Sequence, residues 1–339
     1  MTWFRTLSIW PTFRPVEHRA TAYGDSLQGR SEEPLHGEDG GIERDTTARH
    51  SPDSGVAFFD LRASAGGVDS TDRNVWGVHS LGETILRTIE RGVLTLTLNR
   101  PEVRNAFNRT LAAELATGLA EAASNSSIRA VVITGSGRGF CSGQDLGATG
   151  LGESASIADV VREMYNPLIS AMRELPKPII ASVNGVAAGA GMSLALAADL
   201  RIVAKSAKFV YGFSGVGLAP DSGASYFLPR IVGVARALEF ALEGGAIDAE
   251  QSLRLGLATK VVADEDLASE TGLLAKRLAS GPTAAFGLTK HLIYEGATGA
   301  LPDALEREAL YQQLAAETDD FSEGVRAFLE KRPARFEGR

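Results

Sequence analysis

Short apolar runs alternate with helical stretches along most of this chain, and that alternation constrains the fold more than any other feature. Residues 93–98, VLTLTL, alternate apolar and polar side chains and predict a strand. Leu111, Leu115 and Leu119 recur at i, i+4 and i+8, which predicts an amphipathic helix with Asn108 as its N-cap. RAVVITG (129–135) and PIIASVNG (178–185) predict buried strands. A small-residue helix in GAGMSLALAADLRI runs into the strand LRIVA, and AKFVYGF (207–213) predicts another strand. Beyond residue 221 the pattern is helical, with one short strand, ATKVVA. Such an order gives an α/β core over residues 83–280 and a C-terminal helical subdomain over 281–339.

Residues 1–82 differ from the rest. They are polar, rich in glycine, serine and charge, and without a sustained period. They read as a disordered extension, or as a segment added by a misplaced gene start. Pro11 interrupts the short apolar run near the N-terminus, so no secretory signal is expected. No apolar run approaches the roughly 18 residues of a membrane span. The single cysteine, Cys141, permits no intrachain disulfide and suits a reducing, cytoplasmic setting. A net charge of −8 argues against a nucleic-acid or membrane surface. The five histidines show no metal-ligand spacing.

Two glycine-rich turns follow predicted strands. The first, GSGRGFCSGQDL (135–146), fails the dinucleotide fingerprint because Phe140 takes the third glycine's place, and no Gly-Lys-Ser/Thr of a phosphate loop follows. The second, NGVAAGAGMSLALAADL (184–200), opens a helix whose first N–H groups are unpaired and partly positive. Each reads either as tight packing or as a close backbone approach to a ligand. If they converge, they offer two N–H donors to one carbonyl oxygen, an oxyanion hole.

A third stretch, GVGLAPDSGAS (215–225), holds one carboxylate, Asp221. Pro-Asp-Ser-Gly is a common turn, and Asp221 could cap the following helix near Gly223 and Ala224. The other reading is an acid/base group.

LTLNRPEVRNAFN, GRGFCSGQDL, KPIIASVNGVAAGAGMSLALAADLRI and GVGLAPDSGASYFLPRIVG occur here in the order and spacing of one family. From about Leu86 to the C-terminus the chain resembles the crotonase, or enoyl-CoA hydratase/isomerase, superfamily. That resemblance implies a repeated ββα spiral with a C-terminal helical part that forms trimers, often paired into hexamers. It implies an acyl-CoA substrate and no separate cofactor or metal. The thioester oxygen would accept from the backbone N–H groups of Gln144 and Ala190. Arg104, Asn105, Ala106 and Phe107 would lie along the CoA. Asp145 and Leu146 would flank its adenine end, and Lys290 would reach a CoA phosphate, in its own or a neighbouring subunit.

Hydratases of that family use two glutamates. This chain has Ser193 at the first position and Phe213 at the second. Neither can act as a carboxylate base, so ordinary water addition is not expected. FSGVGLAPDSG, MYNPLI, LPKPII and FLPR resemble a subgroup, the ring-1,2-epoxyphenylacetyl-CoA isomerases, in which the Asp of Leu-x-Pro-Asp is the acid/base. The resemblance therefore puts Asp221 forward as a proton shuttle. It would take a proton α to the thioester and return it elsewhere, opening a strained ring epoxide to an oxepin. Alternatives are a Δ3,Δ2-enoyl-CoA isomerase, a residual hydratase, or a non-catalytic CoA-binding scaffold. Asp199 and Cys141 read as packing residues. Tyr211, Phe213 and Tyr226 read equally as acyl-pocket lining or core.

Overall fold

The computed structural model describes residues 79–147 and 156–339. The extension expected over 1–82 lies outside the described residues up to 78. From there the chain is paired, because β1 (His79–Ser80) lies antiparallel to β2 (Ile85–Glu90). β1 thus precedes the expected core boundary at residue 83.

β2 turns back into β3 (Val93–Leu98), whose alternating side chains become the expected half-buried strand. α1 (Arg109–Ser124) follows, with Asn108 Oδ1 accepting from Leu111 N at 2.8 Å as the expected N-cap. Its leucine stripe, Leu111, Leu115 and Leu119, is buried. Asn108→Ala removes that cap and should lower unfolding stability by about 1 kcal/mol, read from urea denaturation.

Next comes a unit repeated three times. β4 (Ala130–Gly135) is followed by β5 (Gly139–Cys141) and the helical segments α2 (Ile157–Val160) and α3 (Asn166–Glu174). β6 (Ile179–Val183) is followed by β7 (Val186–Ala188) and α4 (Ala190–Ala197). β8 (Leu200–Ala204) is followed by β9 (Lys208–Val210) and α5 (Ala224–Val232). The first strand of each unit joins a large sheet, where β4, β6 and β8 run parallel. The second joins a small sheet, where β5, β7 and β9 run parallel. This is the expected ββα spiral.

The chain continues through α6 (Val234–Glu243), β10 (Ala246–Asp248), α7 (Ala249–Arg254), β11 (Lys260–Val262) and α8 (Leu267–Ala279). β10 closes one edge of the small sheet and β11 one edge of the large sheet. The C-terminal helices are α9 (Thr283–Gly296), α10 (Leu301–Ala316) and α11 (Asp319–Glu330). The last residues fold back: Asp320 accepts from Glu337 N at 2.6 Å and Gly338 N at 2.8 Å. Arg129, beside β4, donates to Phe336 O at 3.0 Å and Thr283 Oγ1 at 2.9 Å.

β6 and α4 are buried along their whole lengths. Small side chains on α4 permit that position. A Cβ on Gly191 would lie 2.2 Å from Cys141 O, so no other residue fits there. Ile157–Val160 and Asn166–Glu174 are helical, joined by a π turn at Val161–Tyr165. One expectation needs correction. AKFVYGF gives a strand only over Lys208–Val210. It ends where Gly212 takes φ +75°, close under Gly189.

Candidate active site

The three units end in the three stretches singled out in the sequence, and the structure brings them together. Gly143 packs directly on the turn before α4. A Cβ there would lie 2.9 Å from Ala188 O and 3.6 Å from Ala190 N. The glycine-rich turns therefore converge. A β-bridge holds the first of them: Phe107 N donates to Gly143 O at 2.7 Å and Asp145 N to Phe107 O at 2.9 Å. That pattern skips the Gln144 N–H. Ala190 N begins α4 and has no acceptor within the helix. Neither N–H has a hydrogen-bond partner among the described residues. Adjacent unpaired N–H groups are what a carbonyl oxygen gaining charge requires.

Gly143 has φ +91°, a region closed to most side chains. Gly143→Ala should strain the turn and push it from Ala188. A fall of about a hundredfold in kcat is expected for loss of one donor position. It would be measured on purified variant with a near-native melting curve, and a change below about threefold would contradict this account.

Asp221 lies between β9 and α5. The helix-cap alternative fails in its side chain. Gly223 is the N-cap of α5 and no side chain caps it, and Ala224 N bonds the main-chain oxygen of Asp221 at 2.9 Å. The carboxylate instead accepts from Ser222 Oγ at 2.8 Å on one oxygen. Its other oxygen has no hydrogen bond among the described residues. Ser222 is buried and held at φ 53°, a strained conformation for serine that fixes the turn. Burial pushes the Asp221 carboxyl above the usual carboxylate range, and the Ser222 hydroxyl offsets part of that rise.

Ser193 ties this loop to α4. Its hydroxyl lies 3.3 Å from both Gly189 O and Asp221 O. It thus faces its own backbone, as a helix serine commonly does, and links the second turn to the third. Phe213 is buried edge-to-face on Tyr211, with centroids 5.2 Å apart. Both belong to the core, whereas Tyr226 is half-exposed beneath the Arg230 guanidinium.

One contributor is absent from the sequence reading. Tyr165, at the end of the π turn, donates its hydroxyl to Gln144 Oε1 and stacks edge-on against Phe107. Burial holds its hydroxyl far above its usual pKa, and the charges of Asp221 and Cys141 add to that. Tyr165 thus stands within electrostatic reach of the carboxylate. Only the π turn that shifts its helical register could have signalled it, and no periodicity reveals such a turn. Cys141 is fully buried with its thiol pushed up to about 12, which leaves it a packing residue, as expected.

The remaining expected CoA contacts divide. Arg104 and Leu146 present side chains to solvent. Asn105, Ala106 and Phe107 do not. Asn105 is wholly buried, with Oδ1 accepting from Arg100 N and Nδ2 donating to Ser136 O and Gly139 O. Ala106 O accepts from the Arg100 guanidinium at 2.7 Å, and the Phe107 ring is in the core. Asp145 is paired with Arg100 at 2.8 Å. These residues shape the first turn from within.

Lys290 requires correction. Its ammonium is buried, 3.0 Å from Asp199 Oδ2 and 2.9 Å from Met172 O, so within this subunit it holds the fold rather than a CoA phosphate. Burial pulls its pKa down, and Asp199 partly restores it. Asp199 also accepts from Ile179 N and the Tyr294 hydroxyl, which joins α9 to the core. Among the described residues no cluster of three His, Cys, Asp or Glu forms a metal site, and no helix is long and apolar enough to cross a membrane.

The fold agrees with the known proteins this chain resembles. The sequence model described as enoyl-CoA hydratase/isomerase matches residues 88–339. The 1,2-epoxyphenylacetyl-CoA isomerase of Escherichia coli (strain K12) is 46% identical over 260 residues, covering 76% of this chain and 99% of that protein. A Rhodobacter capsulatus protein named as a probable enoyl-CoA hydratase is 47% identical over 256 residues, covering 76% and 98%. The crystal structure of an enoyl-CoA hydratase from Polaromonas sp. JS666 superposes with a TM-score of 0.70 at 37% identity, covering 74% of this chain and 99% of that one. With the spiral of ββα units, the converging turns and a match over most of its length, the chain belongs to the enoyl-CoA hydratase/isomerase family.

Proposed function

We propose that this enzyme is an acyl-CoA isomerase in which Asp221 carries the proton. The observation that supports it best is the Asp221 carboxylate itself. It is half-buried, caps no helix, and has one oxygen without a hydrogen bond, on a loop tied to the turn that holds Ala190. The thioester oxygen accepts from Gln144 N–H and Ala190 N–H as the α carbon loses its proton to Asp221. The enolate charge rests on that oxygen until Asp221 returns the proton to a different carbon. No water is consumed and no electrons leave the substrate, so the reaction needs neither a redox cofactor nor a metal.

The substrate proposed is the ring-1,2-epoxide of phenylacetyl-CoA. Its strained bicycle opens to the seven-membered oxepin, and proton transfer from the α carbon to the ring gives the conjugated isomer. Substrate and product have the same atoms. The 46% identity to the Escherichia coli isomerase supports this choice. The same base and donors would serve a Δ3,Δ2-enoyl-CoA isomerase. Hydration is disfavoured, because Ser193 faces main-chain oxygens and Phe213 is buried hydrocarbon. Arg104 and Leu146 are the proposed side-chain contacts to CoA.

A trimer, or a pair of trimers, is part of this reading. Leu301, Phe328 and Leu329 of the C-terminal helices are exposed, as is Ile293 of α9, and a second copy would cover such side chains.

The deciding experiment offers 3-enoyl-CoA, 2-enoyl-CoA and the ring epoxide side by side and separates products by mass spectrometry. Rapid conversion of the epoxide to oxepin, with no water added to the 2-enoyl thioester, is expected. Fast hydration would overturn the reading.

A further inference from the structure

Gln144 has a second group besides its main-chain N–H. Its side-chain Oε1 accepts from the Tyr165 hydroxyl, which anchors the amide. The amide Nε2 is buried and has no hydrogen-bond partner among the described residues. It is the one such side-chain atom among the described residues. A buried donor without an acceptor is unfavourable, and native proteins rarely keep one unless a ligand completes it. The thioester oxygen cannot, because the two main-chain N–H groups are turned to it in the proposed site.

Resting on the acyl-CoA reading above, we infer that the Gln144 side-chain amide, anchored by Tyr165, selects acyl groups carrying a second oxygen, one borne on the acyl chain or ring beyond the thioester. The amide donates one N–H to that oxygen. A purely hydrocarbon acyl group leaves the donor unpaired and pays for desolvating it. Sites built to hydrogen-bond a substrate atom reject analogues lacking it, for that reason. Gln144 is thereby a specificity residue through its side chain, apart from its backbone role. Tyr165 is a positioning residue that acts through it.

Two non-reactive probes test this. Tetrahydropyran-2-ylacetyl-CoA and cyclohexylacetyl-CoA differ by one ring oxygen in place of a methylene. Their dissociation constants would be measured by calorimetry on the full-length protein. Wild type should prefer the oxygen-bearing probe by about tenfold, the worth of one well-made hydrogen bond. Gln144→Met keeps the length and removes the donor, and should reduce the preference to within about twofold. A merely structural role for Gln144 would weaken both probes equally and leave their ratio intact, which overturns the inference. So does wild type binding both alike. Should Gln144→Met fail to fold, Tyr165→Phe serves instead: it releases the amide's anchor and should lower the ratio severalfold, and an unchanged ratio counts against the proposal. If wild type binds neither probe, the acyl-CoA reading itself falls, a result separate from a lost preference.

Discussion

Asp221→Asn should cost about 10²–10⁴-fold in turnover while leaving acyl-CoA binding nearly intact. That range is the usual worth of a positioned general base. Asparagine keeps the shape and the Ser222 contact but cannot accept the α proton. The wild-type pH profile carries a second sign of the same group. A base must be ionised, and burial raises this carboxyl above the ordinary aspartate range near 3.9. Activity should therefore rise with pH through a value above that range and then level off, and the variant should lack this limb. Stability moves the other way. The folded state holds the Asp221 proton more tightly than the unfolded chain does. This group's stabilising contribution is full below the unfolded pKa and is lost as pH rises through the folded one. At neutral pH the asparagine variant should melt higher than wild type. A variant that keeps full turnover, or one that melts lower at neutral pH, would count against this role.

Lys290→Met should lower unfolding stability by about 3–5 kcal/mol without changing the site's chemistry. The ammonium binds Asp199 and two main-chain oxygens in the interior, and methionine leaves all three without their donor. Asp199, half-buried, would then lose the ammonium 3.0 Å away, although Arg201 stays within its electrostatic reach. Tyr294 and Ile179 still donate to it, which sets the lower end of the range. The measurement is urea denaturation of wild type and variant, with CoA affinity compared on the folded fractions. A weakened affinity at unchanged stability would restore Lys290 to the ligand side.

The contrast between these residues shows what a sequence makes legible. Asp221 stood out because its neighbours are small or apolar and the expected glutamates are replaced at Ser193 and Phe213. Those facts are local. Lys290 was placed at the CoA by the resemblance alone, and its partner Asp199 lies far back in the chain, where nothing local links the two. β3 and α1 were legible because their periods persist over six residues or more, and β4, β6 and β8 because their apolar runs are nearly unbroken. β5, β7 and β10 span three residues each, too short to carry a period, and their pairing belongs to the small sheet as a whole. The segment from Ile157 to Glu174 escaped notice because a π turn breaks its helical spacing in the middle. Tyr165 stands in that break, which is why its contact with Gln144 could not be foreseen.

The three-fold repetition of the ββα unit has an evolutionary meaning. Gln144 follows the small-sheet strand of the first unit, Ala190 that of the second, and Asp221 that of the third. Each component thus occupies an equivalent outlet of the same module. In the proposed reading, enolate stabilisation falls to two outlets through main-chain atoms, which side-chain substitution leaves largely in place. Acid–base groups are side chains of the second and third units, where Ser193 and Asp221 stand. On that reading, side chains at those outlets can be exchanged, and the reaction with them, while the grip on the thioester is kept.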